Sequence, residues 1–325
     1  MPPMMTDQQQ LMRGMSVQHY RFTVRAREAL ILEDQPGSAI RGALYQALSE
    51  RFCGEPNTPV TPDHQRHCPV CWLLALEDDK AARGRDLPRP LTIQPPRARA
   101  YFQGEVLTFG LTLIGQAQNL FPYLARAVQR MGEIGVGRGR GRFNLEMIAE
   151  YNPLVDATRR LMQGNFVSKP TLGITPARIA EQALLGSTKH ITLEFYTPLR
   201  LIANGALVKK PFPGIFVQRL LERCQSLALA YAETDSVSTR SEWLAAAHEL
   251  QAKAECLRIA YDDTEWVDFW SGSRRHNHLT PIGGLIGTVR WEGDVSQLRP
   301  WLLWGQSLHV GKDAVKGNGW YQIKA

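Results

Sequence analysis

Asn119–Leu145, NLFPYLARAVQRMGEIGVGRGRGRFNL, and Gln297–Ile323, QLRPWLLWGQSLHVGKDAVKGNGWYQI, follow one plan: a Pro-containing helical stretch, a glycine-rich cationic loop, then a β-forming stretch. Pro122 corresponds to Pro300, Val136 to Val310, Gly137 to Gly311, Arg138 to Lys312, and Phe143 to Trp320 or Tyr321. The same order at the end of both halves marks an internal duplication. Working outward, Val17–Leu32 alternates in polarity and reads as a strand. After the break at QPGS, residues 39–52 place Ile40, Leu44, Ala47 and Leu48 on one helical face, with Ser38 as N-cap. Two β-like stretches fill Leu91–Gly115, a helix with an apolar stripe covers 117–135, and 142–151 is a strand. The second half gives a strand over 189–205 broken at Pro198, a helix from Phe212, a further helix over 241–255, and strands within 256–270 and 282–293. A helix over 296–308 and a last strand over 319–325 complete it. Each half therefore reads β-α-β-β-α-β. The expected architecture is α+β, two tandem ferredoxin-like (βαββαβ) domains at 15–152 and 188–325. A linker over 153–187, which carries little periodic signal, joins them, and a cysteine-containing insertion over 53–90 interrupts the first.

A chain of 325 residues is long enough for two domains, and 44% apolar with 21% charged residues excludes disorder and low-complexity architecture. The excess of 38 Lys+Arg over 31 Asp+Glu, a net +7, suits a polyanionic partner. No apolar run reaches the roughly 18–20 residues that cross a bilayer, so no membrane partner is expected. The N-terminal MPPMMTDQQQLMRG lacks the layout of a secretory signal and reads as a loose tail, and the expected location is the cytoplasm. Five cysteines in so long a chain are no disulfide framework. Cys68-Pro-Val-Cys71 has the two-residue gap of a zinc knuckle, and Cys53, His64 and His67 offer further ligands. With a single CxxC, two readings stand: a structural zinc on Cys53, Cys68, Cys71 and His67, or reduced thiols packed in a loop. Catalytic zinc is not expected, because no open His-rich site with a general base is present.

The loop GVGRGRGR sets Arg138, Arg140 and Arg142 among glycines, so backbone N–H groups and guanidinium donors can converge on a phosphate. It lacks the Lys-Ser/Thr of a nucleotide-triphosphatase loop and precedes a strand, which argues against a nucleotide cofactor. RNA, whose backbone and bases arginine can both engage, is the better partner. The competing reading is a tight turn carrying solvated arginines. Its cationic echo, with Lys312 and Lys316 between Gly311 and Gly319, favours the first.

The C-terminal GGLIGTVRWEGDVSQLRPWLLWGQSLHVGKDAVKGNGWYQI, with SGSRRHNH before it, resembles the CRISPR-associated endoribonucleases of the RAMP superfamily. SAIRGALYQALSERFCG and the following HCPVC look like that family's opening helix and cysteine segment. The resemblance covers both ends and the middle glycine-rich loop. It implies tandem ferredoxin-like domains, binding of CRISPR repeat RNA and the guide RNA made from it, and cleavage of precursor CRISPR RNA with no cofactor required. It further implies attack of the 2′-OH on the adjacent phosphate, leaving 2′,3′-cyclic phosphate and 5′-OH ends. A noncatalytic RAMP subunit holding guide RNA within an effector ribonucleoprotein is the alternative, and in either case other subunits of such a complex are expected partners. An RNA-binding protein outside CRISPR biology is disfavoured by the resemblance alone.

Such a reaction needs a base for the 2′-OH, an acid for the 5′-oxygen and cations for the phosphorane charge. Many family members carry a catalytic histidine in or just before the first helix, yet Glu33–Phe52 contains none; some members align the attack with Lys, Arg or Tyr instead. Tyr45 is therefore a catalytic candidate and Arg41, near the helix start, an RNA contact. His276 and His278, one residue apart beside Arg274 and Arg275, can supply base and acid with cations at hand, since histidine titrates near neutrality. His309, where the last helix meets the Lys312 loop, is either a phosphate contact or a packing residue at a helix end. His19, His190 and His248 are expected to be structural or solvent-exposed.

Overall fold

The computed structural model describes residues 7–33, 35–56, 61–75, 88–164, 166–233, 238–273 and 278–324. They form two units, Val17–Gly173 and a second built from Ile174 onward together with the residues before Val17. Helix α1 (Asp7–Leu11) belongs to the second.

The N-terminal unit runs β1 (Val17–Ala26), β2 (Leu30–Leu32), α2 (Pro36–Phe52), α3 (Pro62–His67), α4 (Pro69–Leu74), β3 (Leu91–Gln94), β4 (Arg99–Tyr101), β5 (Val106–Ile114), α5 (Phe121–Ile134), β6 (Phe143–Asn152) and β7 (Ala157–Arg160), then a small hairpin of β8 (Met162–Gln163) and β9 (Phe166–Val167). Its main sheet has the order β3-β5-β1-β6-β7 with antiparallel neighbours. Without the added β7 this is the 2-3-1-4 strand order of a βαββαβ unit. The alternation of β1 buries Tyr20, Phe22 and Val24, and Tyr20 stacks on Phe121 of α5 at 4.1 Å. Removing each such side chain from water stabilises the unit by about 1.5–3 kcal/mol.

The C-terminal unit continues with α6 (Pro176–Ala183), β10 (His190–Leu199), β11 (Leu201–Ala203), β12 (Ala206–Val208), α7 (Pro213–Tyr231), α8 (Arg240–Glu255), β13 (Arg258–Val267), β14 (Trp270–Ser273), β15 (His278–Pro281), β16 (Gly284–Glu292), α9 (Arg299–Leu308) and β17 (Tyr321–Lys324). The sheet β13-β16-β10-β17 repeats the same antiparallel order. Phe216 of α7 lies edge-on to Trp291 and Tyr321, each with ring centroids 5.3 Å away, and Tyr321 Oη donates to Leu302 O at 2.6 Å. The fold is thus α+β with two ferredoxin-like sheets.

Three local expectations change. The N-terminal segment is not loose from Asp7 onward: Leu11, Met12 and Met15 are buried, and Gly14 O accepts from Glu233 N at 2.9 Å. The stretch read as a linker divides at Gly173. Its first part is fastened by Glu150, a fully buried carboxylate of β6 that accepts from Gln18 Nε2, Arg159 Nε and the Thr171 and Leu172 backbone N–H groups. Helix α2 starts earlier than Ser38 suggests, because Pro36 at its first position has the φ a helix needs. Among the described residues no helix is long and apolar enough to cross a membrane.

Candidate nucleic-acid interface

The glycine-rich loops dock in the same way in both units. In the first, Val136 N–H donates to Gly141 O at 2.9 Å and Arg138 N–H to Ile31 O at 3.1 Å. In the second, Val310 N–H donates to Gly319 O at 3.1 Å and Lys312 N–H to Arg200 O at 3.1 Å. The glycine before each cation lies against that same carbonyl: a Cβ on Gly137 would stand 2.1 Å from Ile31 O, and one on Gly311 2.5 Å from Arg200 O. Both have positive φ, 75° and 85°. The correspondence of Val136, Gly137 and Arg138 with Val310, Gly311 and Lys312 is therefore one of backbone geometry. Of the two aromatics that could match Phe143, Tyr321 is the one: it starts β17 as Phe143 starts β6, both buried.

The loop arginines are solvent-facing, and each has an exchangeable partner. Arg138, 82% exposed, lies 3.6 Å from Glu33. Arg140 donates to Gln46 Oε1 of α2 at 2.9 Å, and Arg142 grips Glu28 with Nε at 2.9 Å and Nη2 at 3.2 Å. The hydrogen bonds from Arg142 hold the Glu28 carboxyl below its usual range. These pairs are exposed and screened by solvent, so exchanging a carboxylate for a phosphate costs little. Lys316 is 2.8 Å from Asp313, and Lys312 is half-buried.

The loop thereby meets the exposed side of α2. Tyr45, half-buried, precedes Gln46, which also donates to Glu50 at 2.8 Å; Arg130 of α5 reaches Glu50 at 3.2 Å. Arg41 is placed differently: its Nη2 donates to Leu74 O at 2.9 Å and so satisfies the C-terminus of α4, where Arg89 also donates at 3.2 Å. Of the two readings of His309, the structure places it as a packing residue at the helix end. It is fully buried, caps α9 through its N–H to Gly305 O at φ 59°, and sets Nδ1 3.2 Å from Asn318 O. Arg274, Arg275 and His276 lie outside the described residues; His278 opens β15 opposite Ser273. His19 is buried with Nδ1 2.8 Å from Thr112 Oγ1, and His248 is exposed.

The cysteine insertion is more ordered than a surface loop: α4 buries Val70, Cys71, Leu73 and Leu74. Cys53, His64, Cys68 and Cys71 bring their ligand atoms within 4.8 Å of one another. His67 is not in this group; its side chain is 76% exposed and its Nδ1 lies 2.9 Å from the carbonyl of Asp63 on its own helix. Burial, reinforced by the neighbouring Cys68, pushes the Cys71 thiol up to about 12. All five cysteines are free thiols.

Sequence reasoning missed Tyr196, Trp320 and Lys324. The Tyr196 and Trp320 rings lie 4.9 Å apart, and Lys324 Nζ donates to Tyr196 Oη at 2.6 Å and pairs with Glu194. Tyr196 is exposed where its neighbour Phe195 is in the core. The alternation of β10 carried that signal, because a period of two sends Tyr196 outward once Phe195 is placed inward. An exposed tyrosine against a half-buried tryptophan, beside a cation, offers a stacking surface for an unpaired base.

Each of the two ferredoxin-like sheets carries a glycine-rich cationic loop between its last helix and its last strand. Residues 193–321 match the family of CRISPR-associated endoribonuclease Cas6, and residues 15–171 match the N-terminal-domain family AF_1859_N. The Cas6 match spans about two fifths of the chain and the AF_1859_N match just under half of it. Its fold is similar to that of a Cas6 product complex (TM-score 0.59, 14% identity, covering 95% of this chain and 100% of that one) and of Thermus thermophilus Cas6 (0.55, 13%, 95% and 99%). It is also similar to part of a Cas6-RT-Cas1–Cas2 complex (0.60, 14%, 95% of this chain and 46% of that one). No curated protein sequence matches the chain.

Proposed function

We propose that this protein binds CRISPR repeat RNA and cleaves precursor CRISPR RNA without a metal ion. The observation that carries the reading is the duplicated loop, Val136–Gly137–Arg138 and Val310–Gly311–Lys312, docked by the same backbone hydrogen bonds in a chain whose C-terminal unit matches the Cas6 family model. Arg138, Arg140, Arg142, Lys312 and Lys316 contact the RNA backbone, and Tyr196 and Trp320 supply stacking surface. The 2′-oxygen forms the new bond to phosphorus as its proton passes to a base, and the P–O5′ bond breaks as the 5′-oxygen receives a proton from an acid. His276 and His278 are the candidates for base and acid, with Arg274 and Arg275 as cations beside them and Tyr45 as an aligning hydroxyl. The neighbouring folds are a Cas6 product complex and a Cas6-RT-Cas1–Cas2 complex, which supports repeat RNA and other CRISPR proteins as partners.

The test is incubation of the purified chain with repeat RNA in EDTA, with binding measured alongside. The expected result is cleavage to a 2′,3′-cyclic phosphate product, and separate His276→Ala and His278→Ala variants that bind but cut more slowly. Tight binding with the RNA left intact would establish the alternative, a guide-holding subunit, with which the absence of histidine from Glu33 to Phe52 is compatible.

A further inference from the structure

We propose that Cys53, His64, Cys68 and Cys71 hold a structural Zn²⁺, independent of RNA cleavage, that ties the short helices α3 and α4 to the end of α2. The four ligand atoms lie within 4.8 Å of one another, and Cys53 Sγ and His64 Nε2 are 3.3 Å apart. A tetrahedral Cys₃His zinc site, with bonds of about 2.3 Å to sulfur and about 2.0 Å to nitrogen, sets its ligand atoms roughly 3.5–3.8 Å apart, so the cluster is nearly assembled.

Helix ends bring the ligands together. Cys53 caps the C-terminus of α2 with its N–H on Ser49 O. Cys68 both ends α3, through its N–H to His64 O at 2.8 Å, and begins α4, its carbonyl accepting from Trp72 at 2.9 Å. Thr61 caps α3, and its hydroxyl accepts from His64 N at 3.2 Å. With Nε2 turned to the thiols, His64 points Nδ1 toward Glu55, 3.8 Å away. A carboxylate on the far ring nitrogen is the usual support of a metal-bound imidazole.

The donor set names the metal. Three sulfurs and an imidazole select zinc over the hard cations magnesium and calcium. All four tetrahedral positions are filled by protein and Cys68 and Cys71 are buried, which describes a structural site with no place for a reacting water. The segment also needs a cross-link: α3 and α4 have six residues each, far below the roughly 12–15 at which an isolated helix is even marginal. Three thiols offer a disulfide at most one pairing, with one cysteine and His64 left over; a metal uses all four.

Elemental analysis of the chain purified under reducing conditions from zinc-supplied culture is expected to find about one zinc per chain. His64→Ala and Cys71→Ser should lose it, while His67→Ala, three residues from His64 and outside the cluster, retains it. Because ligand variants can misfold, the wild-type chain is also titrated with Co²⁺ after zinc release. A thiolate-to-cobalt charge-transfer band with the intense visible absorption of tetrahedral cobalt is expected. Glu55→Gln, which leaves all four ligands in place, should weaken zinc binding about 10–100-fold. A wild-type chain without stoichiometric zinc and without the cobalt bands overturns the proposal, as does zinc retained in His64→Ala or Cys71→Ser, or a disulfide among the three cysteines in the reduced-lysate protein. Metal content and cleavage in EDTA are separate readouts, so the failure of one leaves the other standing.

Discussion

His19 shows how one buried side chain ties stability to pH. It lies on β1 against Thr112, and burial, with Arg21 adding to it, lowers its pKa from 6.5 to about 3. The folded state therefore keeps the ring neutral between those values while the unfolded chain takes up a proton. The unfolded state binds more protons there, so stability is full above about pH 6.5 and falls as the pH drops toward 3, by up to about 1.4 kcal/mol per pH unit for one proton. Denaturant titrations between pH 7 and 5 should show that slope, and His19→Asn, which cannot titrate, should flatten it by about one proton's worth. An unchanged slope would mean that the ring is accessible to a proton in the folded chain. The sequence placed His19, which the structure buries, on a strand but left it either structural or solvent-exposed. It could not anticipate Glu150, whose partners Arg159, Thr171 and Leu172 come from a stretch without periodicity. It also chose His67 over His64 for the cysteine cluster, wrongly, since both lie on one short helix next to Cys68 and only the turn of α3 selects His64.

At the level of elements, what repeats in sequence repeats in backbone. The glycine-rich loops were legible because their requirement is local: Gly137 and Gly311 combine positive φ with a carbonyl lying where a Cβ would be. The cysteine insertion and the stretch after Asn152 were less so, because their order comes from side chains distant in sequence and leaves no pattern of period two or 3.6. For the same reason α1 escaped detection: a five-residue helix has no periodicity of its own and is held by what buries Leu11 and Met12. Gly137→Ala and Gly311→Ala should each destabilise their unit by about 1–3 kcal/mol from backbone strain, with steric overlap added. Gly42 provides the opposite sign. It is exposed within α2 and a Cβ there meets nothing within 4 Å, so Gly42→Ala should stabilise by about 0.5–1 kcal/mol. Urea unfolding of the three variants decides the matter, and loss of stability in Gly42→Ala comparable with the other two would show that the loop glycines are not special.

For the whole molecule, the net charge of +7 acquires positions. The cations of the first loop stand against Glu28, Glu33 and Gln46, and Lys316 of the second against Asp313. If these loops form the proposed RNA interface, the free protein screens it, and polyanion binding would replace weak internal pairs while releasing counterions from the RNA. That makes affinity steeply salt-dependent, whereas the stability of the protein should barely respond. Deleting one phosphate-binding cation should reduce the slope of log affinity against log salt by about 0.7–0.9. Arg138→Ala, removing a guanidinium whose side chain is 82% exposed, is expected to lower the slope by that amount and weaken repeat-RNA binding at low salt more than at high salt. Lys312→Ala should do the same if the second loop binds phosphate as the first does, and the double variant should add the two effects, since the loops belong to different units. Equal weakening at all salt concentrations would assign Arg138 to a base or to packing instead, and unchanged affinity in both variants would remove the glycine-rich loops from the RNA interface altogether.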